Sequence, residues 1–479
     1  MLIKSLKATM VSALMLISAS TCAQDFDLPD FGFSGSRGIT IQREKMVGEY
    51  FMRLARSNLN IANDPVLNEY LNYVGNKLVM QANDVYFPFE FFIVSNNELN
   101  ASAFLGGKVQ VYTGLFHYSD TEDEFASVLA HEISHVTQRH IARFIENQID
   151  RQPLTIASMI GAVAMSLLNP MIGMAALSTT IGASSQAAIN FTRDNEYEAD
   201  RLGIELLYKA GYNPYGMSDL FKKLMAKQGN INPVFSMLID HPLSEIRTSE
   251  AINRARNYPK RSNSKNQDFM LAKARVDVRY MNYDLKALQE RLNVEPEKIN
   301  RIYRLYAQAL IAYELNDYAK ASDYLKQLNL PNNIFIIDLK TDIDLKMHNY
   351  DLAINRLNAI YKKRPKNEAV VANLANALNE SHQAKKAIPI LTNFLQDNPD
   401  NYLINSLLTD SYRLANQKCQ TLQSGAKVFG LQSNYSRALG MYSEALNVCS
   451  GNEREIIRAK MAKLSDQRAF DENISSQGR

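Results

Sequence analysis

The residues best suited to chemistry form one short run, His131-Glu132-Ile133-Ser134-His135, an H-E-x-x-H pattern. Two histidines at i and i+4 project from one face of a helix, one turn apart. From there both imidazoles can reach a single zinc ion, and Glu132 can reach a water on that metal. The chain has only seven histidines, so chance matches to the pattern are scarce. The bland alternative is a helix with two incidental histidines and an exposed glutamate, and a third ligand is needed to decide. The run Asn195-Glu196-Tyr197-Glu198-Ala199-Asp200 offers candidates. Glu196 and Asp200 are i, i+4 and share a face, so one can bind metal while the other accepts the second N–H of a ligand histidine. Glu198 points elsewhere and is expected to be solvated. On spacing alone, Glu196 could equally be a surface carboxylate at an acidic helix start, where the helix dipole favours it.

These groups need elements to hold them. Thr121 and Glu124 read as a capping box opening the H-E-x-x-H helix, and Phe125, Val128, Leu129, Ile133 and Val136 form its apolar stripe. The acidic run continues helically through Leu202, Ile204, Leu206 and Leu207. Upstream, Ile41 to about Gln81 reads as two amphipathic helices, and the aromatic, β-branched run Phe87 to Val94 as a strand. Asn100 to Phe104, a Gly106-Gly107 turn and Lys108 to Tyr112 then suggest a small antiparallel hairpin. Such a hairpin either lends a free edge to an extended substrate or is simply structural. Residues 154–189 are apolar, nearly uncharged and split by Asn169-Pro170 into pieces short for a membrane span. They read either as core helices or as a mobile lid or surface that touches membrane or unfolded client.

Together, His-Glu-x-x-His, Glu-Tyr-x-Ala-Asp, the segment Asn100 to Leu115 and His241-Pro242-Leu243-Ser244-Glu245-Ile246-Arg247 resemble the zinc metallopeptidase family of HtpX and the CAAX prenyl proteases. The resemblance covers about residues 41–255. It implies one Zn2+ on His131, His135 and Glu196, with Glu132 as general base and Asp200 orienting a ligand. It implies also that His241 and Arg247 face the metal and stabilise the tetrahedral oxyanion, and that His241, on a loop, can ligate the zinc and hold the enzyme latent.

At 479 residues, 46% hydrophobic and 22% charged, the chain is long enough for two or three globular domains. A net charge of +3 is too balanced to suggest a nucleic-acid partner. Lys4 and Lys7, the apolar run Ala8 to Ala19 and Thr21-Cys22-Ala23 read as a signal peptide cleaved before Gln24; a lipid anchor on Cys22 is the alternative. Cys419 and Cys449 then remain, either as one disulfide or as two separate buried thiols. Beyond a polar boundary at 254–266, Pro331, Pro365 and Pro399 recur every 34 residues, with Ala321, Ala353 and Ala387 and then Tyr324, Leu357 and Leu391 ahead of them. That period is the signature of tetratricopeptide repeats, which bind proteins or peptides. Further imperfect units are expected at 267–300 and 402–465.

The expected fold is α+β and mostly helical. A signal peptide (1–23) precedes a zincin-like peptidase domain with a small antiparallel sheet (24–260) and an all-α repeat solenoid (261–479). This layout resembles periplasmic members of the family. It implies degradation of misfolded outer-membrane β-barrel proteins, chaperone-like help for assembling ones, and contact with the barrel-assembly machinery through the repeats. The alternative is mainly a chaperone or scaffold of outer-membrane assembly, with proteolysis secondary. A peripheral contact with the outer membrane is left open by the apolar stretch.

Overall fold

The computed structural model describes residues 39–151, 159–161, 163–164, 186–227, 236–259, 261 and 266–477. The expected signal segment, with Cys22, and most of the apolar stretch 154–189 lie outside them.

Two helices open the described chain as their apolar spacing predicts. Helix α1 (Ile41–Asn58) is capped by Thr40, whose side chain accepts from the Arg43 N–H, and it buries Val47, Tyr50, Phe51 and Ala55. Helix α2 (Pro65–Val79) starts on Asp64 with proline in its first turn, and buries Val66, Leu67, Tyr70, Leu71, Val74 and Leu78.

Strand β1 (Glu90–Val94) is shorter than the run from Phe87, because Pro88 has no N–H to give a ladder. Strands β2 (Ala101–Phe104) and β3 (Lys108–Tyr112) form the expected antiparallel hairpin, from Ala101 opposite Val111 to Phe104 opposite Lys108. Gly106 and Gly107 take φ of 73° and 79° in its turn. There a Cβ on Gly106 would fall 2.8 Å from the Glu44 carbonyl oxygen. The expectation of a purely antiparallel sheet is corrected: β1 lies parallel to β3, giving a mixed sheet of order β1-β3-β2. Side-chain alternation marks a strand but not its neighbour. The telling sign is that every residue of β3 is buried, as a central strand requires. β2 is left at an edge.

After the short α3 (Thr113–Tyr118) comes α4 (Glu122–Thr137), which carries H-E-x-x-H. Thr121 Oγ1 accepts from the Glu124 N–H at 3.2 Å, while Glu124 reaches back to the Asp120 N–H at 2.8 Å, one residue beyond the usual capping box. Helices α5 (His140–Arg151), α6 (Gln186–Lys209), α7 (Gly216–Lys227), α8 (Met237–Asp240) and α9 (Glu245–Ala255) complete the site-bearing half. At the α4–α6 crossing a Cβ on Gly203 would lie 3.2 Å from the His131 nitrogen, so the glycine sets how closely the carboxylates of α6 approach α4. Met159, Ile160, Val163 and Ala164 are buried with α1 and α5, which fits the core reading for those four residues of the apolar stretch.

From Gln267 to Gln477 the chain is a series of antiparallel helix pairs: 267–279 with 285–294, 301–314 with 318–328, 334–346 with 350–361, 368–380 with 384–397, 402–414 with 418–430, and 435–448 with 452–477. Pro331, Pro365 and Pro399 lie between pairs. Ala321, Ala353 and Ala387 are fully buried where helices touch. Asn282, Asn316, His348, His382 and Asn416 take left-handed conformations in the turns within pairs, a backbone state that asparagine and histidine tolerate better than most residues. Cys419 and Cys449 are joined by a disulfide in the last units.

The polar boundary near 260 does not interrupt packing. One apolar core runs from Ala62 through α4 and α6 into the repeats as far as Ala369. Arg275, 3% exposed, bridges Asp64 at the start of α2 and Asp338 of the repeats, at 2.6 Å to each. The last helix returns to the first: Arg53 of α1 forms a buried two-pronged ion pair with Asp471, and Ile474 enters the core around Phe51.

Candidate metal centre

His131 and His135 come from one face of α4, as their spacing requires. Their Nε2 atoms stand 2.9 Å apart. Glu196, on α6, lies 3.4 Å from each of these nitrogens through its two oxygens. His241, between α8 and α9, brings Nδ1 to 3.0 and 3.1 Å from the Glu196 oxygens and 3.3 Å from His131 Nε2. Its backbone is tied down by a hydrogen bond from its N–H to the Met237 carbonyl, and Met237 in turn donates to the Leu99 carbonyl ahead of β2. One donor atom from each of the four residues lies within 4.8 Å of every other.

The donor set fits a divalent cation. Burial disfavours the His131 cation, but Asp200 and Glu196 outweigh it and push its pKa up to about 10. Burial likewise opposes the Glu196 carboxylate, yet His241 and His131 hold its pKa well below the ordinary range. Burial, and then the charge of His131, pulls His135 well below the ordinary value, so it presents a neutral ring. The cluster concentrates a demand for positive charge in a dry site. Three imidazoles and a carboxylate are a donor set that suits zinc.

The remaining residues surround this centre. Asp200 Oδ1 lies 3.0 Å from His131 Nδ1, the nitrogen facing away from the cluster. Glu132 is 1% exposed; its Oε1 makes no hydrogen bond among the described residues and lies 3.4 Å from His241 Nε2. Burial raises its pKa against the pull of His241 and His131. The Ala103 N–H of edge strand β2 adds a smaller pull toward the ionised form. A small cleft runs beside that edge, between Ala103, Phe104 and Gly106 on one side and His135 and Val136 on the other. Arg247 donates through Nε and Nη2 to Asp200 at 2.8 and 2.9 Å, and through Nη1 to the Pro242 carbonyl at 2.8 Å; the same nitrogen lies 2.9 Å from Glu196 Oε2. Three of its five N–H groups thus donate to protein acceptors around the cluster, and its charge lies against Glu196 as well.

All seven residues named from the sequence therefore meet in one place. Two partners were missed. His140, 3% exposed, sets Nδ1 2.8 Å from His135 Nδ1 and Nε2 3.1 Å from Glu198 Oε2. Glu198 is not merely solvated: it leaves the Glu196 face as helix geometry demands, but α5 folds back to meet it with His140 and Arg143. The available signal was a third histidine five residues beyond His135.

A family model for peptidase family M48 matches residues 65–255, and one for tetratricopeptide repeats matches 344–410. The beta-barrel assembly-enhancing protease of Escherichia coli K12 is 36% identical over 452 residues, 92% of each chain. That of Yersinia pestis is 36% identical over 91% of this chain and 93% of its own. A Vibrio cholerae protein named as a putative member is 37% identical over 88% of each. Identity over nearly the full length spans the peptidase half and the repeats alike, and the chain is a metalloendopeptidase that belongs to the family of beta-barrel assembly-enhancing proteases.

Proposed function

We propose that this chain is a periplasmic zinc endopeptidase for outer-membrane β-barrel proteins, held latent by His241. The observation that carries the reading is the convergence of His131, His135, Glu196 and His241 beside buried Glu132, whose Oε1 has no hydrogen-bond partner among the described residues. Zinc held there supplies Lewis-acid polarisation of the scissile carbonyl and lowers the pKa of an attacking water. Glu132 takes the proton from that water and returns it to the leaving amine, and its burial tunes it for both steps. His131, His135 and Glu196 bind the metal. Asp200 fixes the His131 ring, and Arg247 acts mainly by holding Asp200 and Glu196 in place. The N–H and C=O groups on the free edge of β2 align an extended client beside Glu132.

In this reading His241 Nδ1 would hold the metal together with the other three donors while its Nε2 faces Glu132, so one side chain would block both metal and base. Movement of its loop frees them and leaves His241 able to stabilise the oxyanion. Export is supported by the basic and apolar N-terminal pattern and by the names of the relatives. Among the described residues no helix is long and apolar enough to cross a membrane.

The repeats bind clients or the barrel-assembly machinery. A second reading, in which this chaperone or scaffold role dominates, is favoured by a cavity of about 1090 Å3 between the repeats and the peptidase half, lined by Asn72, Phe89, Phe91, Lys366, Phe394 and Tyr402 among others. Glu132→Gln separates the two. It is expected to retain one zinc per chain while cleavage of an unfolded β-barrel client falls about 10²–10⁴-fold. Cleavage near the wild-type rate removes Glu132 as the base; full rescue of outer-membrane assembly by the variant makes the binding role primary.

A further inference from the structure

His140 and Glu198 have no part in the chemistry above, yet both stand against the metal centre. Helix α4 ends at Thr137, and Arg139 takes a left-handed conformation with φ 53°. This turns the chain so that His140, the first residue of α5, swings back over α4. Arg139 is pinned in that turn, its Nε donating to Glu44 Oε1 at 2.7 Å and its Nη2 to the Ile39 carbonyl at 2.6 Å. The His140 ring then meets the His135 ring edge to face, with centroids 4.8 Å apart and planes at 81°. Its two nitrogens bridge His135 Nδ1 at 2.8 Å and Glu198 Oε2 at 3.1 Å, and Arg143 Nη1 supports Glu198 at 3.2 Å.

The chemistry at the ends dictates where each hydrogen sits. An ionised carboxylate only accepts, so His140 Nε2 carries a hydrogen. A neutral His140 ring carrying that hydrogen has its lone pair on Nδ1, and across the 2.8 Å contact His135 Nδ1 is then the donor. The lone pair of His135 is left on Nε2, which faces His131 and Glu196. We propose that Glu198 and His140 form a positioning relay that fixes His135 in the Nδ1–H tautomer and aims its Nε2 lone pair at the metal. This rests on the zinc reading above. Asp200 stands behind His131 Nδ1 in the same way, directly rather than through an intervening ring. Helix α6 thus supplies one ligand, Glu196, and the carboxylates that orient the two histidines of α4. A metal-ligand histidine is commonly held by an acceptor on its far nitrogen, and losing that partner weakens metal binding.

The test uses the full chain, stripped of zinc and titrated with zinc against a chromogenic chelator. His140→Leu fills the space of the ring without an acceptor, and its zinc affinity is expected to fall about 10–100-fold. His140→Asn offers an amide oxygen near the place of Nδ1 and is expected to stay within about threefold of wild type. The melting temperatures of the zinc-free proteins should agree, while the rise on adding zinc shrinks for His140→Leu alone. Equal zinc affinity in wild type and His140→Leu overturns the relay, as does an equal loss in His140→Leu and His140→Asn. Should His140→Leu fail to fold, Glu198→Ala reads the outer end of the relay: about a tenfold loss supports it, and an unchanged affinity overturns it. A wild-type chain that takes up no zinc overturns the metal reading and the relay together, which keeps the two failures distinct.

Discussion

At 3.0 and 3.1 Å from the two Glu196 oxygens, His241 Nδ1 sits among the atoms that would bind zinc, while its Nε2 is 3.4 Å from Glu132. In the proposed reading, a side chain in that position competes with substrate. In the proposed latent state, His241→Ala should raise cleavage of an unfolded client by about tenfold or more, the factor expected where the open form is a tenth or less of the molecules. Steady-state kcat/KM reads it, and loss of activity instead assigns His241 to the transition state. At this scale the sequence was legible where partners share one helix. His131, Glu132 and His135 follow from spacing, and Glu196 and Asp200 share a face by spacing, but that they face α4 had to come from resemblance. Composition and periodicity carry no information about which distant residue approaches a ligand. His140 escaped because five residues from His135 is off its helical face; the left-handed Arg139 between them makes the contact.

Helix α6 is the element on which the centre depends. Glu196, Glu198 and Asp200 serve three different partners because α4 and α5 approach it from two sides. The close crossing at Gly203 lets α6 lie near enough to α4 for that. The sheet does its part through β2, whose Ala103 N–H favours the Glu132 carboxylate while its outer edge is unpaired by any strand among the described residues. Helices α1, α2 and α4 and the β2–β3 hairpin were readable from apolar period, caps and glycines. The parallel pairing of β1 with β3 was not, because a strand records which of its faces is buried and not which strand lies beside it. The repeat period was legible from prolines and alanines. The recurring left-handed asparagines and histidines are a fainter mark of the same period, since those residue types also occur freely in other turns.

Across the whole molecule, the repeats are held to the peptidase half at both ends. Arg275 joins Asp64 to Asp338 near the start of the repeats, and Arg53 joins α1 to Asp471 near their end. Tyr435 adds its hydroxyl to Asp471. Removing one partner of a buried pair strands a charge, so Asp471→Ala should destabilise the chain by about 3–5 kcal/mol, lowering its melting temperature. The same closure stands beside α5, which carries His140, so the repeats and the metal centre share a frame. The metal centre is tested most directly by anomalous diffraction at the zinc edge on zinc-loaded crystals of the wild-type chain. A single zinc is expected, bound by His131 Nε2, His135 Nε2, a Glu196 oxygen and His241 Nδ1. Zinc bound at other residues, or at the first three with His241 turned away in the resting enzyme, would contradict it.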